Sequence, residues 1–194
     1  MPRDLFYRRF PPRRRREGKT DYRGRLRLVK SGKPRLVVRR SNRYITVMTV
    51  RSKAGGDETI VSVNSKQLSK YGWQLGTKSV PAAYLTGYLA AKLSLKKGVR
   101  DAVADIGIHK STRGSRVFAA IKGAIDAGLN VPMGEGVAPG DERLRGQHIA
   151  EYGKIVESLP QSHQFSRTKR EVLRDASSHF EEVRGKLDSV TAIN

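Results

Sequence analysis

The chain has no cysteine, which excludes disulfide frameworks, zinc ribbons and thiol catalysis together. Its four histidines, His109, His148, His163 and His179, form no i, i+4 pair, so a histidine-based metal site is not expected. The longest apolar stretch runs from Val80 to Ala91, short of the roughly 20 residues that a membrane-spanning helix needs. The opening residues, Met1-Pro2-Arg3-Asp4-Leu5-Phe6-Tyr7-Arg8-Arg9, hold no apolar signal core, and no secretory signal is expected. Acidic residues are also scarce, 18 against 39 Lys plus Arg in 194 residues, for a net charge of +21. A soluble intracellular protein is the expectation.

With 37% hydrophobic and 29% charged residues, the chain can build one ordinary domain plus extensions. The charge is lopsided. Residues 1–53 carry 19 cations and 3 acids, residues 54–140 carry 11 and 6, and residues 141–194 carry 9 and 9. A polycation of this kind repels itself until it meets a dense polyanion, which makes nucleic acid the expected partner. An anionic membrane would call for a basic amphipathic helix. The glycine- and proline-broken start of the chain does not supply one.

Residues 1–33 read as a basic, extended arm. Four arginines in a row follow Pro11-Pro12; Gly18, Gly24 and Gly32 are expected to interrupt any helix; and Phe6, Tyr7, Phe10 and Tyr22 are interleaved with the cations. Ordering such a segment costs about 1–2 kcal/mol per residue for backbone alone, so it is expected to order only on a partner. Arginine's planar fork suits bidentate phosphate pairing, and aromatic side chains offer base stacking worth about 1–3 kcal/mol per base. RNA is favoured over DNA, because no recognition-helix motif or zinc finger occurs and arginine-rich arms that fold on binding are a common RNA solution.

From Pro34 the pattern turns to β. Arg35–Arg40, Tyr44–Val50 and Thr59–Val63 are rich in β-branched residues and separated by Ser41-Asn42 and by Ala54-Gly55-Gly56-Asp57, which reads as an antiparallel meander. Apolar residues occupy both parities, so both faces should be at least partly covered. Ser79 as N-cap with Pro81 in the first turn predicts a helix to about Lys96, with Val80, Tyr84, Tyr88, Ala91 and Leu95 along one face. Val99–Ile106 is a strand candidate. Ser115 should cap a second helix carrying Phe118, Ile121 and Ile125 and ending at Gly128. After an exposed loop over Pro132–Pro139, helices are expected from Asp141 to about Leu159 and from Ser166 to about Leu187, with Pro160-Gln161-Ser162 between them. The fold class is therefore α/β, a mixed sheet (an antiparallel meander plus a further strand) flanked by helices. It is organised as an arm (1–33), a core (34–129) and a loop with a helical extension (130–194).

Several segments invite a chemical reading. Gly72 to Ser79 ends in Lys-Ser before a helix, but three residues separate its glycines and Thr77 displaces the lysine, so the phosphate cradle of a P-loop is not formed. Gly134 to Gly140 echoes a dinucleotide fingerprint without its spacing. Asp101 and Asp105, four apart on the expected strand, would share a face and could anchor a metal-dependent nuclease; no further acid is placed beside them by the sequence. The stretch His109-Lys110-Ser111-Thr112-Arg113-Gly114-Ser115-Arg116 is donor-rich and runs into a helix N-terminus, a suitable setting for phosphate oxygens.

Three separated blocks resemble a known family. Arg35-Leu36-Val37-Val38-Arg39-Arg40-Ser41-Asn42-Arg43-Tyr44-Ile45 is one. Gly114-Ser115-Arg116-Val117-Phe118-Ala119-Ala120-Ile121-Lys122-Gly123-Ala124, continued by Ala127-Gly128-Leu129, is the second. The third is Arg13-Arg14-Arg15-Arg16-Glu17-Gly18-Lys19-Thr20-Asp21-Tyr22-Arg23. Together they resemble the universal large-subunit ribosomal protein eighteen family in its archaeal and eukaryotic form, with residues 130–194 similar to the extension of the archaeal type. The resemblance implies a structural protein of the cytoplasmic ribosome with no enzymatic activity, no cofactor and no small-molecule substrate. Its implied partners are 5S ribosomal RNA, 23S ribosomal RNA in the central protuberance, and neighbouring large-subunit proteins. It further implies RNA-facing roles for Arg13, Arg14, Arg15, Arg16, Lys19, Tyr22, Arg23, Arg25 and Arg27 in the arm. The same holds for Arg39, Arg40 and Arg43 around the first turn, and for His109, Lys110, Ser111, Thr112, Arg113 and Arg116 in the loop.

Overall fold

The arm enters the structure as two short helices. In the computed structural model, which describes residues 10–158 and 170–192, α1 is the single turn Arg13–Arg16 and α2 spans Tyr22–Lys30. Gly24 does not interrupt this second helix, contrary to expectation. It sits in the first turn, where the Asp21 carboxylate accepts from the N–H groups of Arg23 and Gly24, each at 3.1 Å. A side chain at position 24 would meet Asp21 Oδ2 at 2.6 Å. The cap thus replaces the stabilisation that glycine lacks. Phe6 and Tyr7 lie outside the described residues.

The meander forms as read: β1 (Arg35–Arg40), β2 (Ile45–Lys53) and β3 (Gly56–Asn64) pair antiparallel. A 3₁₀ turn over Ser65–Tyr71 leads to α3 (Val80–Lys96), then β4 (Val103–Asp105), which joins β1 in parallel to give the order β3-β2-β1-β4. The strand expected over 99–106 is only three residues long. Before it, Asp101 leaves the sheet for an isolated bridge to Asn130, whose Nδ2 donates to the Asp101 carboxylate at 2.7 Å. Then follow α4 (Arg116–Asp126), α5 (Asp141–Arg145), α6 (Gln147–Ser158), α7 (Arg170–Arg174) and α8 (Ala176–Ala192). The single helix expected from Asp141 breaks at Gly146, whose left-handed φ of 84° ends α5 where an added Cβ would lie 3.1 Å from Pro81 Cγ. The expected start at Ser166, the 160–162 separator and His163 lie outside the described residues, and α8 continues past Leu187.

One face of the sheet, carrying Leu36, Val38, Ile45, Val47, Val61 and Val63, is buried against the helices. The spacing of Val80, Tyr84, Tyr88, Ala91 and Leu95 predicts one apolar face for α3, yet 13 of its 17 residues are buried. It is enclosed on several sides. Ser94 Oγ meets Thr49 Oγ1 of the sheet at 2.7 Å, α4 crosses it, and α8 lays Phe180, Val183 and Leu187 into the same core. Phe180 lies 5.5 Å from Tyr84 between ring centroids, and the Tyr88 hydroxyl donates to Asp188. A helix surrounded in this way needs apolar residues all round.

The α3–α4 crossing is a backbone-to-backbone contact. A Cβ added at Gly87 would lie 1.9 Å from the Ala120 carbonyl oxygen, and one at Gly123 would lie 2.2 Å from that of Tyr84. Flanking Ala83, Ala91, Ala119 and Ala124 are fully or almost fully buried. No rotamer adjustment can relieve a clash with main chain, so the helices must separate and uncover the sheet. Gly87→Ala is therefore expected to destabilise the protein by about 3 kcal/mol or more, read as a lowered midpoint in thermal or urea unfolding, whereas Gly76→Ala, with open space around it, leaves the midpoint nearly unchanged.

Candidate nucleic-acid interface

The outer face of the sheet carries an alternating chain of charges. Arg35 and Arg39 lie four residues apart on one side of β1 with Val37 between them, and they share Asp105 of β4: Arg35 Nη1 donates to Oδ2 at 2.7 Å and Arg39 Nη2 to Oδ1 at 2.8 Å. Arg35 Nη2 also reaches Asp57 Oδ2 at 2.6 Å, and that oxygen accepts from Arg25 of α2 at 2.8 Å. The ladder Arg25–Asp57–Arg35–Asp105–Arg39 thereby ties the arm to β3, β1 and β4.

A bulge delivers Asp57 to this face. The pairs Thr49–Val61 and Val50–Thr59 bracket one extra residue, Ile60, in β3, which reverses the parity of everything before it. Without it Asp57 would point at the helices with Val61 and Val63. Lys97, at the end of α3, secures the bulge by donating to the Ile60 carbonyl at 2.5 Å. Burial raises the Asp105 carboxyl, but Arg39 and Arg35 outweigh it and hold the group below its ordinary 3.8. Asp57 is likewise held low, with Arg35, Ser52 and Arg25 overcoming its desolvation.

Arg39 and Arg40 are neighbours on a strand, so they point to opposite faces, and each opens on a different cleft. The first, about 570 Å³, lies between the arm and the outer sheet face and gathers Arg14, Lys19, Arg25, Arg27 and Arg39. The second, about 510 Å³, gathers Arg40, His109, Lys110, Thr112, Arg113 and Arg116 at the start of α4. Eleven of the expected RNA-facing residues therefore fall in two separate clefts. Tyr22 lines a shallower groove with Arg25 and Leu26, and Arg15, Arg16, Arg23, Arg43 and Ser111 are exposed outside both clefts.

Not every expected cation is equally available. Arg13 and Lys19 both meet Glu17 at 2.7 Å and hold its carboxyl below the usual value. Arg14 Nε donates to Thr20 Oγ1 at 2.8 Å. Arg39 is committed to Asp105, through both its carboxylate and its carbonyl, and its guanidinium would lie 2.8 Å from any Cβ at Gly107, where φ is 62°. Arg15, Arg16, Arg40, Arg43 and Arg113 have no carboxylate within salt-bridge distance among the described residues. His109 accepts from the Arg40 N–H through Nε2 at 3.3 Å. Burial, with Arg40 and Arg39 adding, pushes its imidazole below 6.5, toward the neutral form at pH 7.

The sequence reading missed Arg35, Asp57 and Arg143, the last of which reaches the second cleft from α5. Of these, Arg35 carries a signal in the sequence, its four-residue spacing from Arg39, which puts both on one face of a strand. The nuclease arrangement is also not formed. Asp101 is exposed and bound to Asn130, while Asp105 is filled by two guanidiniums and the Gly107 N–H at 2.9 Å. Among the described residues no group of three His, Asp or Glu is placed to hold a metal ion.

Because the Asp105 carboxyl is lowered in the folded state, its stabilisation is complete above about pH 4 and is lost as pH falls through the folded value. Asp105→Asn leaves Arg35 short of a partner and is expected to cost about 3 kcal/mol at pH 7. Thermal melts of both proteins at pH 7 and pH 3 should show that gap narrowing in acid, and an equal gap at both pH values would contradict the ladder's role.

The chain matches the model of the family described as ribosomal large subunit proteins 60S L5 and 50S L18 over residues 8–104 and 96–134. It is 49% identical over 178 residues to large ribosomal subunit protein uL18 of Methanothermobacter thermautotrophicus, covering 91% of this chain and 93% of that protein. The namesake from Desulfurococcus amylolyticus is 51% identical over 181 residues, covering 91% and 92%. That of Korarchaeum cryptofilum is 56% identical over 145 residues, covering 75% and 74%. These relatives are structural proteins, so the nuclease reading of Asp101 and Asp105 falls on kinship as well as on geometry. An α/β core with unpaired arginines on its arm and in its second cleft, matched over nine-tenths of its length at half identity, belongs to the uL18 family of large ribosomal subunit proteins, constituents of the ribosome in the cytoplasm and not enzymes.

Proposed function

We propose that this member of the family binds 5S ribosomal RNA and helps attach it to 23S ribosomal RNA in the central protuberance. The carrying observation is the division of the cations. A few are neutralised inside the protein, and Arg15, Arg16, Arg40, Arg43 and Arg113 are left with no carboxylate partner among the described residues. Guanidiniums held close together without counterions raise the free energy of the isolated protein, and RNA phosphates relieve it while releasing condensed counterions.

In this reading residues 1–33 are the RNA arm, 34–129 the core that presents both clefts, and 130–194 an extension that completes the core. The ladder fixes α2 over the sheet, so Arg23 and Arg27 are presented from a folded helix. Arg13 to Arg16, Lys19 and Tyr22 precede or begin it as the segment that follows the RNA. Arg39 acts by positioning the Asp105–Gly107 turn, and Arg40, Arg43 and the loop from His109 to Arg116 face phosphates directly. Neutralising six to ten phosphates lowers affinity about 10³–10⁵-fold between 50 and 200 mM salt.

Filter binding of 5S ribosomal RNA across that salt range should show this steep dependence for the whole chain. Arg15→Ala with Arg16→Ala should flatten the logarithmic slope by about 2 without altering the melting temperature. Unchanged slope and affinity in the double variant, or no preference for 5S ribosomal RNA over another folded RNA of equal length, would overturn the proposal.

A further inference from the structure

The second cleft contains a residue from a part of the chain whose net charge is zero. Arg143 of α5 lines it with Arg40 of β1, Lys110 and Arg113 of the loop, and Arg116 at the start of α4. The remaining lining residues are Val80, Ile108, His109, Thr112, Gly114, Ser115 and Val117, so no carboxylate faces the cavity. Other cations are paired, as in the outer-face ladder or at Arg145, whose Nε lies 3.7 Å from Glu181. Arg143, only two residues away, has no such partner among the described residues.

Arg143 is held at this place by the fold. Its neighbour Leu144 is buried in the core. Gly146 ends α5 with a φ of 84° against Pro81 of α3, and the loop before α5 grips the cleft wall through Gly114 N–H donating to Val137 O at 2.9 Å. Ser115 has the extended backbone of an N-cap but makes no capping hydrogen bond, and its Oγ is buried without a partner. A concave, carboxylate-free set of cations beside an unused hydroxyl and helical N–H donors is suited to an anion with several acceptor oxygens.

We propose that the second cleft is a phosphate pocket completed by Arg143, so that one RNA phosphodiester bridges the carboxyl-terminal extension and the core. This rests on the reading of the chain as a 5S ribosomal RNA binder and adds the extension to the binding surface. Arg143 is then a phosphate ligand, and the extension does more than cover α3.

The test compares Arg143→Ala, Arg143→Lys and Arg145→Ala in the whole chain, with melting temperatures measured alongside, for binding to 5S ribosomal RNA. Arg143→Ala should weaken binding about tenfold at low salt, the loss of one charge-assisted contact. It should also flatten the salt slope by about 1. Arg143→Lys should keep the slope, and Arg145→Ala should change neither. Equal effects of Arg143→Ala and Arg145→Ala would reduce the role to general field strength and overturn the pocket. So would Arg143→Ala binding like the parent protein while the parent binds tightly; the 5S reading would then stand alone. A parent protein that does not bind 5S ribosomal RNA removes that reading and this inference with it. A melting shift by inorganic phosphate that Arg143→Ala abolishes, with RNA binding unchanged, would assign the pocket to a free anion instead.

Discussion

Like charges crowded on one side of a small protein must be separated, paired or neutralised from outside, and this structure pairs some of its cations internally and leaves others without a carboxylate partner among the described residues. Pairing is concentrated in the ladder Arg25–Asp57–Arg35–Asp105–Arg39, where two carboxylates serve three guanidiniums. Buried ion pairs of this sort contribute little net stability compared with an apolar core, because desolvation offsets attraction. They do fix geometry. Here they hold the arm helix over the outer sheet face and leave a cleft beneath it.

The remaining elements serve that arrangement. The glycine–glycine crossing of α3 and α4 brings the helix layer close, and α8 covers the far side of α3. The bulge at Ile60 turns Asp57 outward, and Lys97 from the helix layer holds the bulge. A change at the α3–α4 contact is therefore transmitted to the sheet that carries both clefts. The helices on the neutral side, with Trp73 stacked on His179 at 5.4 Å and Arg184 over Tyr84 and Tyr88, complete the core and leave the cationic side free.

Much of this was legible in the residues. The β-branched run Arg35–Arg40, the Ser79 cap with Pro81, and Gly128 at the end of α4 each gave correct boundaries, because local sterics and capping decide them. The basic arm was legible because charge needs no fold to be counted. What was hidden depended on pairing across distance. One extra residue in β3 reverses a face, and nothing local at Ile60 announces it. The burial of Arg35 follows from Asp57 and Asp105 arriving from 22 and 70 residues away. Gly24 stays inside α2 because Asp21 caps its first turn, and the helix expected from Asp141 ends early because Gly146 adopts a left-handed φ of 84°. Arg39 and Arg40 are adjacent in the sequence, yet a strand sends them to separate clefts.

Selective modification of arginines by phenylglyoxal, read by mass spectrometry on the free protein and on its complex with 5S ribosomal RNA, measures directly which guanidiniums RNA neutralises. If the unpaired cations exist to meet phosphates, Arg15, Arg16, Arg40 and Arg113 react in the free protein and are protected in the complex, while Arg35, 3% exposed, is unreactive in both. Equal reactivity of those four arginines with and without RNA would contradict the central claim.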